Sequence, residues 1–314
     1  MITKTTDGRE VKITAHLKFL QPSAIDKDNC ESGIGLLELI YSTSGSSRPQ
    51  QEEMLFHAFE EMFTHSAGGV TVLLPEVSAL IPGQGTGQKN TPALGSHGIR
   101  ACLAHPEAYR PFLRAVLRAG ADGCFELALP MVGHVSEIVR FKEMLRTLKS
   151  ELAEEGKTCT SPAVGIMLEV PAVIPSIDTM IWESGFFIVG DLFLRYLMAD
   201  DRLPGQEDDP VPFYQRAFLL QAGTLVTSLS KRKAGARIAA SLVQDPPAIP
   251  LLVGLGFDEI VAPPDLIPGI VQIVRSLNYR SAQMLAAKAT AFWDPSEARA
   301  YAAEMLPRIT HQSK

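Results

Sequence analysis

Short runs of β-branched and apolar residues alternate along this chain with longer stretches whose apolar positions recur every three or four residues. Residues 11–17, 33–37, 70–74, 125–130, 164–169, 186–190 and 259–262 read as strands, and a weaker run at 236–240 as one more. Between them the helical period predicts helices over 50–63, 106–119, 135–154 and 211–229, another after Pro268, and a helical tail. Met54, Leu55, Phe59 and Met62 form the apolar stripe expected of the first helix. A glycine-rich loop, 75–95, follows the third strand. Runs such as Phe186-Phe187-Ile188-Val189 are apolar without alternation, which implies burial on both faces of a parallel sheet. Eight such βα units favour a closed (β/α)8 barrel over an open sheet, with functional groups at the C-terminal strand ends. The barrel is expected to occupy residues 1–290 and the tail 291–314, with no linker dividing the chain.

Composition sharpens this picture mainly by exclusion. Hydrophobic residues make up 46% and charged residues 20% of the 314, which suits a globular protein. The net charge of −6 gives no electrostatic reason to expect nucleic acid or an anionic membrane as a partner. The densest basic run, Lys231-Arg232-Lys233, reads as a solvated helix end. The first residues lack an apolar leader, and no run is long enough to span a bilayer. Cys30, Cys102, Cys124 and Cys159 form no CxxC pair, so neither a zinc site nor a disulfide framework is expected, and a reducing cytoplasm fits.

Several segments then resemble one family in the same order along the chain. Gly33-Ile34-Gly35-Leu36-Leu37 is similar to the start of GIGLLRTEF, and Pro92 to Arg100 to NPxLGxRxIR. Leu129-Pro130-Met131-Val132 resembles FPMI, and Val164 to Pro171 resembles IGVMVETP. Tyr196 to Arg202 resembles YTLAVDR, and Leu252 to Glu259 resembles LLGMGLDEF. These are motifs of the phosphoenolpyruvate (PEP)-utilising enzymes, which include enzyme I of the bacterial sugar phosphotransferase system, PEP synthase and pyruvate phosphate dikinase. The likeness is greatest to the C-terminal barrel of enzyme I. It implies a TIM barrel of the phosphoenolpyruvate/pyruvate type, without the phosphohistidine domain that precedes that barrel in the family.

In the family, arginines grip the phosphate and carboxylate of PEP, a glutamate and an aspartate carry Mg²⁺, and a cysteine protonates the enolate. Carried across, three arginine positions become Glu38, Leu73 and His97, and the cysteine becomes Ala239. The acidic position after GIGLL becomes Ile40, and the glutamate beside the cysteine becomes Ser241. The TNDL turn is one residue short, reading Gly190-Asp191-Leu192-Phe193, and Glu76 stands where the family has an aspartate. What survives is Glu169 and Asp191 as candidate Mg²⁺ ligands and Arg100 and Arg202 as candidate substrate contacts, with Lys89 or Arg195 as possible substitutes for a lost arginine.

Two functions follow. In the first, the barrel has kept the fold, lost PEP phosphotransfer, and acts as a binding, regulatory or structural partner; Glu169 is then an inherited counter-charge for Arg100 or Arg202. In the second, Glu169 and Asp191 hold Mg²⁺ for a transferase or lyase acting on PEP, pyruvate or another small oxyacid. His16, His97 and His134 also fall near strand ends, where with Glu38 or Glu169 they would suit a transition metal, although solvated or satisfied histidines fit equally. The loop 83–89 lacks the GK[ST] ending of a phosphate loop and reads as a lid or linker. The resemblance implies a homodimer, with Ile181-Trp182 and Phe213-Tyr214 as candidate sealing residues, and Phe292-Trp293 near the tail as a possible partner contact.

Overall fold

Eight parallel strands close on themselves. The structure, a computed structural model, describes residues 1–18, 33–39, 47–66, 68–75, 97–122, 125–199 and 211–310. Strands β2 (Glu10–Lys18), β3 (Ile34–Glu38), β4 (Val70–Leu73), β5 (Phe125–Leu129), β6 (Ala163–Leu168), β7 (Phe186–Gly190), β8 (Gly235–Ala239) and β9 (Glu259–Ala262) pair in chain order. The ring closes where β9 returns to β2 through Lys12↔Glu259 to Ala15↔Ala262. This is the (β/α)8 barrel expected. An additional strand, β1 (Ile2–Lys4), pairs antiparallel with β2 and was not expected; three residues are too few for a periodic signal.

Helices α1 (Arg48–His65), α2 (Gly98–Ala104), α3 (Pro106–Ala119), α4 (Val135–Glu154) and α5 (Ile177–Ile181) lie outside the first half of the ring. Helices α6 (Asp191–Met198), α7 (Arg216–Lys231), α8 (Ala248–Leu255), α9 (Ile267–Ser276), α10 (Tyr279–Ala289) and α11 (Pro295–Thr310) complete the outer layer. Outward strand residues such as Val72, Leu127, Ile166 and Ile238 pack on these helices in one continuous core. A smaller cluster fills the barrel itself: Leu36, Ala128, Met167, Phe186, Ile188, Ala239 and Val261, with Leu73 packed against it.

Three local expectations change. Met54 is half exposed while Leu55, Phe59 and Met62 are buried, so the stripe of α1 is narrower than the sequence suggests. The helix expected over 211–229 is divided: a 3₁₀ turn at Val211–Tyr214 precedes α7. That turn buries Phe213 and Tyr214 completely, and the Tyr214 hydroxyl donates to Asp245 at 2.8 Å. Arg299 of α11 also grips Asp245 through Nε and Nη2, both at 3.0 Å, so this cluster docks the terminal helix and presents no dimer surface. Helix α8 escaped the periodic reading because Ala-Ile-Pro-Leu-Leu-Val-Gly-Leu is apolar on all sides. The basic run at Lys231 does end α7 and is exposed, and Trp293 is exposed with Arg216 stacked 4.7 Å from its ring.

Candidate active site at the barrel mouth

Because the eight strands are parallel, the residues at or just after their C-terminal ends share one rim. Glu38 ends β3, Leu73 ends β4 and Ala239 ends β8, while Glu169 and Asp191 immediately follow β6 and β7. The β6–β7 register sets Leu168 opposite Val189, which brings Glu169 and Asp191 to neighbouring strand ends. Lys89, Arg202, Glu76 and Ile40 lie outside the described residues.

Alternation along β2 sends His16 and Lys18 to the inner side beside β3. His16 Nε2 lies 3.2 Å from Glu38 Oε1, and Lys18 is the register partner of Glu38. Burial works to raise the Glu38 pKa, but the His16 bond and the charges of His16 and Lys18 outweigh it and leave the carboxyl below its ordinary range. The position that resembles an arginine of the family is thus a paired carboxylate. Leu73, another such position, lies in the inner apolar cluster beside residues such as Leu36 and Met167.

Asp191 opens α6, where its Oδ1 accepts from the Ser241 amide at 2.7 Å and the Ser241 hydroxyl at 3.0 Å. Those bonds tie the end of β7 to the segment after β8. Burial nevertheless raises the Asp191 pKa, against the Ser241 bonds and the positive charges of Arg195 and Lys18. Glu169 is 5% exposed, and its Oε2 accepts from the Met131 amide at 2.7 Å. Met131 adopts φ 59°, an uncommon left-handed conformation for a residue with a side chain, at the turn that ends β5. The Glu169 carboxylate therefore holds this turn in place.

The same turn explains the glycine of the Ser96-His97-Gly98-Ile99-Arg100 segment. Gly98 has φ +52°, and a Cβ there would meet the Pro130 carbonyl oxygen at 2.6 Å. Ile99 donates to that carbonyl at 3.0 Å, so α2 starts directly on the β5 turn. His97 is the residue before α2, and Arg100 turns away from Glu169: its Nε bonds Glu137 at 3.2 Å. The expected Glu169–Arg100 pairing is therefore replaced by Arg100–Glu137. Glu137 also accepts from the amides of Gly133 and His134, while His134 Nδ1 accepts from the Ser136 amide. His134 is a helix cap in this arrangement through that bond.

No group of three or more His, Cys, Asp or Glu side chains placed to hold a metal occurs among the described residues. Glu169 accepts from the Met131 amide, and Asp191 from the Ser241 amide and hydroxyl. As carboxylates on neighbouring strand ends they suit a Mg²⁺ that takes much of its shell from water and substrate, as Mg²⁺ commonly does, and among the described residues they form no protein cage. Lys18 and the roles of Met131 and Ser241 were missed from sequence. Lys18 was accessible from the two-residue strand period; the Met131 and Ser241 amides carry no side-chain signal.

The comparisons with known proteins agree with this fold. The family described as PEP-utilising enzyme, PEP-binding domain, matches residues 1–279. The phosphoenolpyruvate-protein phosphotransferase of Staphylococcus epidermidis is 30% identical over 263 residues, 82% of this chain and 46% of that protein. Its namesakes from Staphylococcus carnosus and Haemophilus influenzae are 29% identical over 291 residues and 30% over 295, covering 91% and 90% of this chain. They are covered over 51% and 50% of their own length, so the chain spans about half of each of these relatives. No helix among the described residues is long and apolar enough to cross a membrane. The chain belongs to the PEP-utilising enzyme family, through the barrel that its PEP-binding domain model matches.

Proposed function

We propose that this barrel has lost PEP phosphotransfer and acts as a binding, regulatory or structural partner subunit. The observation that carries this reading is the state of two positions at the mouth: Glu38 is a carboxylate paired with His16, and Leu73 belongs to the apolar filling of the barrel. Each charge-assisted hydrogen bond to an anion is worth roughly 1.5–3 kcal/mol net. Replacing three arginines by Glu38, Leu73 and His97 then removes on the order of 4–9 kcal/mol, roughly 10³- to 10⁶-fold in affinity. The Glu38 charge adds repulsion toward a trianionic substrate inside a concave site. Lys18 and Arg195 supply positive charge to the rim, but both act on Asp191.

Calorimetry against PEP, pyruvate and oxaloacetate, each with and without Mg²⁺, tests this reading. The expected result is PEP binding no tighter than about 1 mM. Saturable micromolar binding of PEP with Mg²⁺ would overturn it. The positions of Glu169 and Asp191 on adjacent strand ends favour a second reading, a Mg²⁺-dependent transferase or lyase on a small oxyacid. There the two carboxylates would hold the ion, which would polarise the carbonyl or phosphoryl oxygen of the substrate. The assembly we infer from the resemblance is a homodimer, whose interface excludes Phe213 and Tyr214 because both are buried. A monomeric mass by light scattering at micromolar concentration would refute the homodimer.

A further inference from the structure

A groove of about 490 Å³ lies on the barrel wall at the end opposite the mouth, within the size range of small-molecule sites. One side is the second half of α4. Lys142, Arg146 and Lys149 are spaced four and three residues apart there, which places all three on one helix face toward the groove. The other side is the chain entering β6 and β7, including Ser161, Trp182 and Glu183. Leu145 and Val164, 5% and 6% exposed, form an apolar floor.

The groove holds three cations and one carboxylate. Lys142 Nζ is spent on Glu183 Oε2 at 2.7 Å. Lys149 donates to the Ser161 hydroxyl, which leaves the Ser161 proton to donate elsewhere. Arg146 is exposed and has neither hydrogen bond nor ion pair among the described residues. Trp182 is 75% exposed, with the Arg232 guanidinium, itself 3.7 Å from Asp178, lying 5.4 Å from its ring centroid. An exposed indole near two cations without a carboxylate partner, Arg146 and Lys149, and an apolar floor is the chemistry that recognises a flat aromatic group carrying a dianion.

We propose that this groove binds a small ligand of the nucleoside monophosphate class. Its phosphate is held by Arg146, Lys149 and the Ser161 hydroxyl, and its base lies against Trp182. The site is separate from the mouth, does not depend on the reading of PEP chemistry given above, and assigns Trp182 to a ligand in place of the dimer contact that the resemblance suggested.

The chain has two tryptophans, so a Trp293→Phe background leaves Trp182 as the sole tryptophan, excited selectively at wavelengths beyond the tyrosine absorption band. Adenosine 5′-monophosphate is the probe, with adenosine and inorganic phosphate as part-ligands. The expected result is saturable quenching by the monophosphate in the micromolar range, much weaker binding of either part, and a loss of roughly tenfold for each cation removed in Arg146→Glu and Lys149→Glu. Arg146→Lys should retain most of the affinity. Thermal melts of the variants should match the parent, since both side chains lie at the surface. Absence of saturable quenching, or quenching indifferent to both charge reversals, would overturn the proposal. So would Trp182 emission that changes with protein concentration alone, which would assign the face to a second copy of this chain.

Discussion

The two ends of the barrel bury charge in different ways. At the end where the strands begin, Lys12, Glu126, Arg237 and Glu259 point inward and neutralise one another. Arg237 grips Glu126 through Nη1 at 2.6 Å and Nη2 at 3.0 Å, and its Nε lies 3.3 Å from Glu259. Thr14 donates to Glu259 at 2.6 Å, Thr71 donates to Glu126 at 2.8 Å, and Lys12 Nζ stands 3.7 Å from Glu259. The Phe186 ring covers Arg237 at 4.0 Å. Gly35 makes room for this layer, because a Cβ there would lie 2.0 Å from Thr14 Oγ1. Every partner is a strand side chain. At the mouth, by contrast, Glu169 leans on a backbone amide and Asp191 on an amide and a hydroxyl beyond the strands. Two cations against two carboxylates make the floor a closed unit; the mouth keeps one strand-to-strand pair, Glu38 with His16, and carries Glu169 and Asp191 just beyond the strands. The floor serves closure of the ring, and the mouth carries the groups that barrels generally give to function.

The largest effect should come from breaking the floor. Arg237→Leu leaves the buried Glu259 and the part-buried Glu126 without their guanidinium partner. Burial works to lower the Arg237 pKa, but Glu126 and Glu259 outweigh it and raise it, while Glu126 is held below its ordinary range mainly by Arg237 against burial. Removing one partner of a buried pair costs about 3–5 kcal/mol, or roughly 10 °C in melting temperature for a chain of this size. Adding Glu126→Leu should restore part of the loss. A melt of Arg237→Leu within a degree or two of wild type would show that the floor contributes little to closure.

The contrast between the ends also explains what could be read from the sequence. Seven of the strands announce themselves by apolar runs, and β8 weakly, because Gly235-Ala236-Arg237-Ile238-Ala239 spends its inward position on the floor arginine. A charged residue in mid-strand lowers the apolar signal while strengthening the structure. The rim positions of Glu38, Leu73, Glu169, Asp191 and Ala239 follow from the strand ends, since the parallel strands fix which end each occupies. Their partners were not legible. Arg100 sits close to Glu169 in the motif order, yet it bonds Glu137, whose capping of α4 depends on where that helix starts in space.

An intermediate effect is expected at Glu169, where the two functional readings diverge. Glu169→Ala leaves the buried Met131 amide without its acceptor, at a left-handed residue that cannot easily shift. Losing such a bond costs about 1–3 kcal/mol. On the partner-subunit reading, the melt should fall while any weak Mn²⁺ affinity stays unchanged. Mn²⁺ binding that is clear in the wild type and absent in the mutant would instead assign the carboxylate to metal and favour the enzyme reading.

The smallest effect, and one of opposite sign, is expected at Asp191. Its folded pKa lies above the ordinary 3.8 because burial outweighs the Ser241 bonds and the charges of Arg195 and Lys18. The folded state therefore holds this proton more firmly than the unfolded chain does. The contribution of the group to stability is complete below pH 3.8 and is lost as pH rises through the raised folded value. Asp191→Asn keeps an oxygen to accept from the Ser241 amide and hydroxyl but carries no charge to desolvate. It should match wild type in acid and become the more stable protein as pH rises to neutrality, by about 1 kcal/mol per unit of pKa difference. Melting temperatures of both proteins at several pH values between 3.5 and 7 would display the divergence. If the wild-type aspartate is instead the more stable protein on the neutral side, the carboxylate is better solvated or better paired than its burial implies, and the contrast between the two ends fails at its most sensitive point. If that gain appears only when Mg²⁺ is added, Asp191 is a metal ligand, and its one-residue-short turn has kept the function that the resemblance implies.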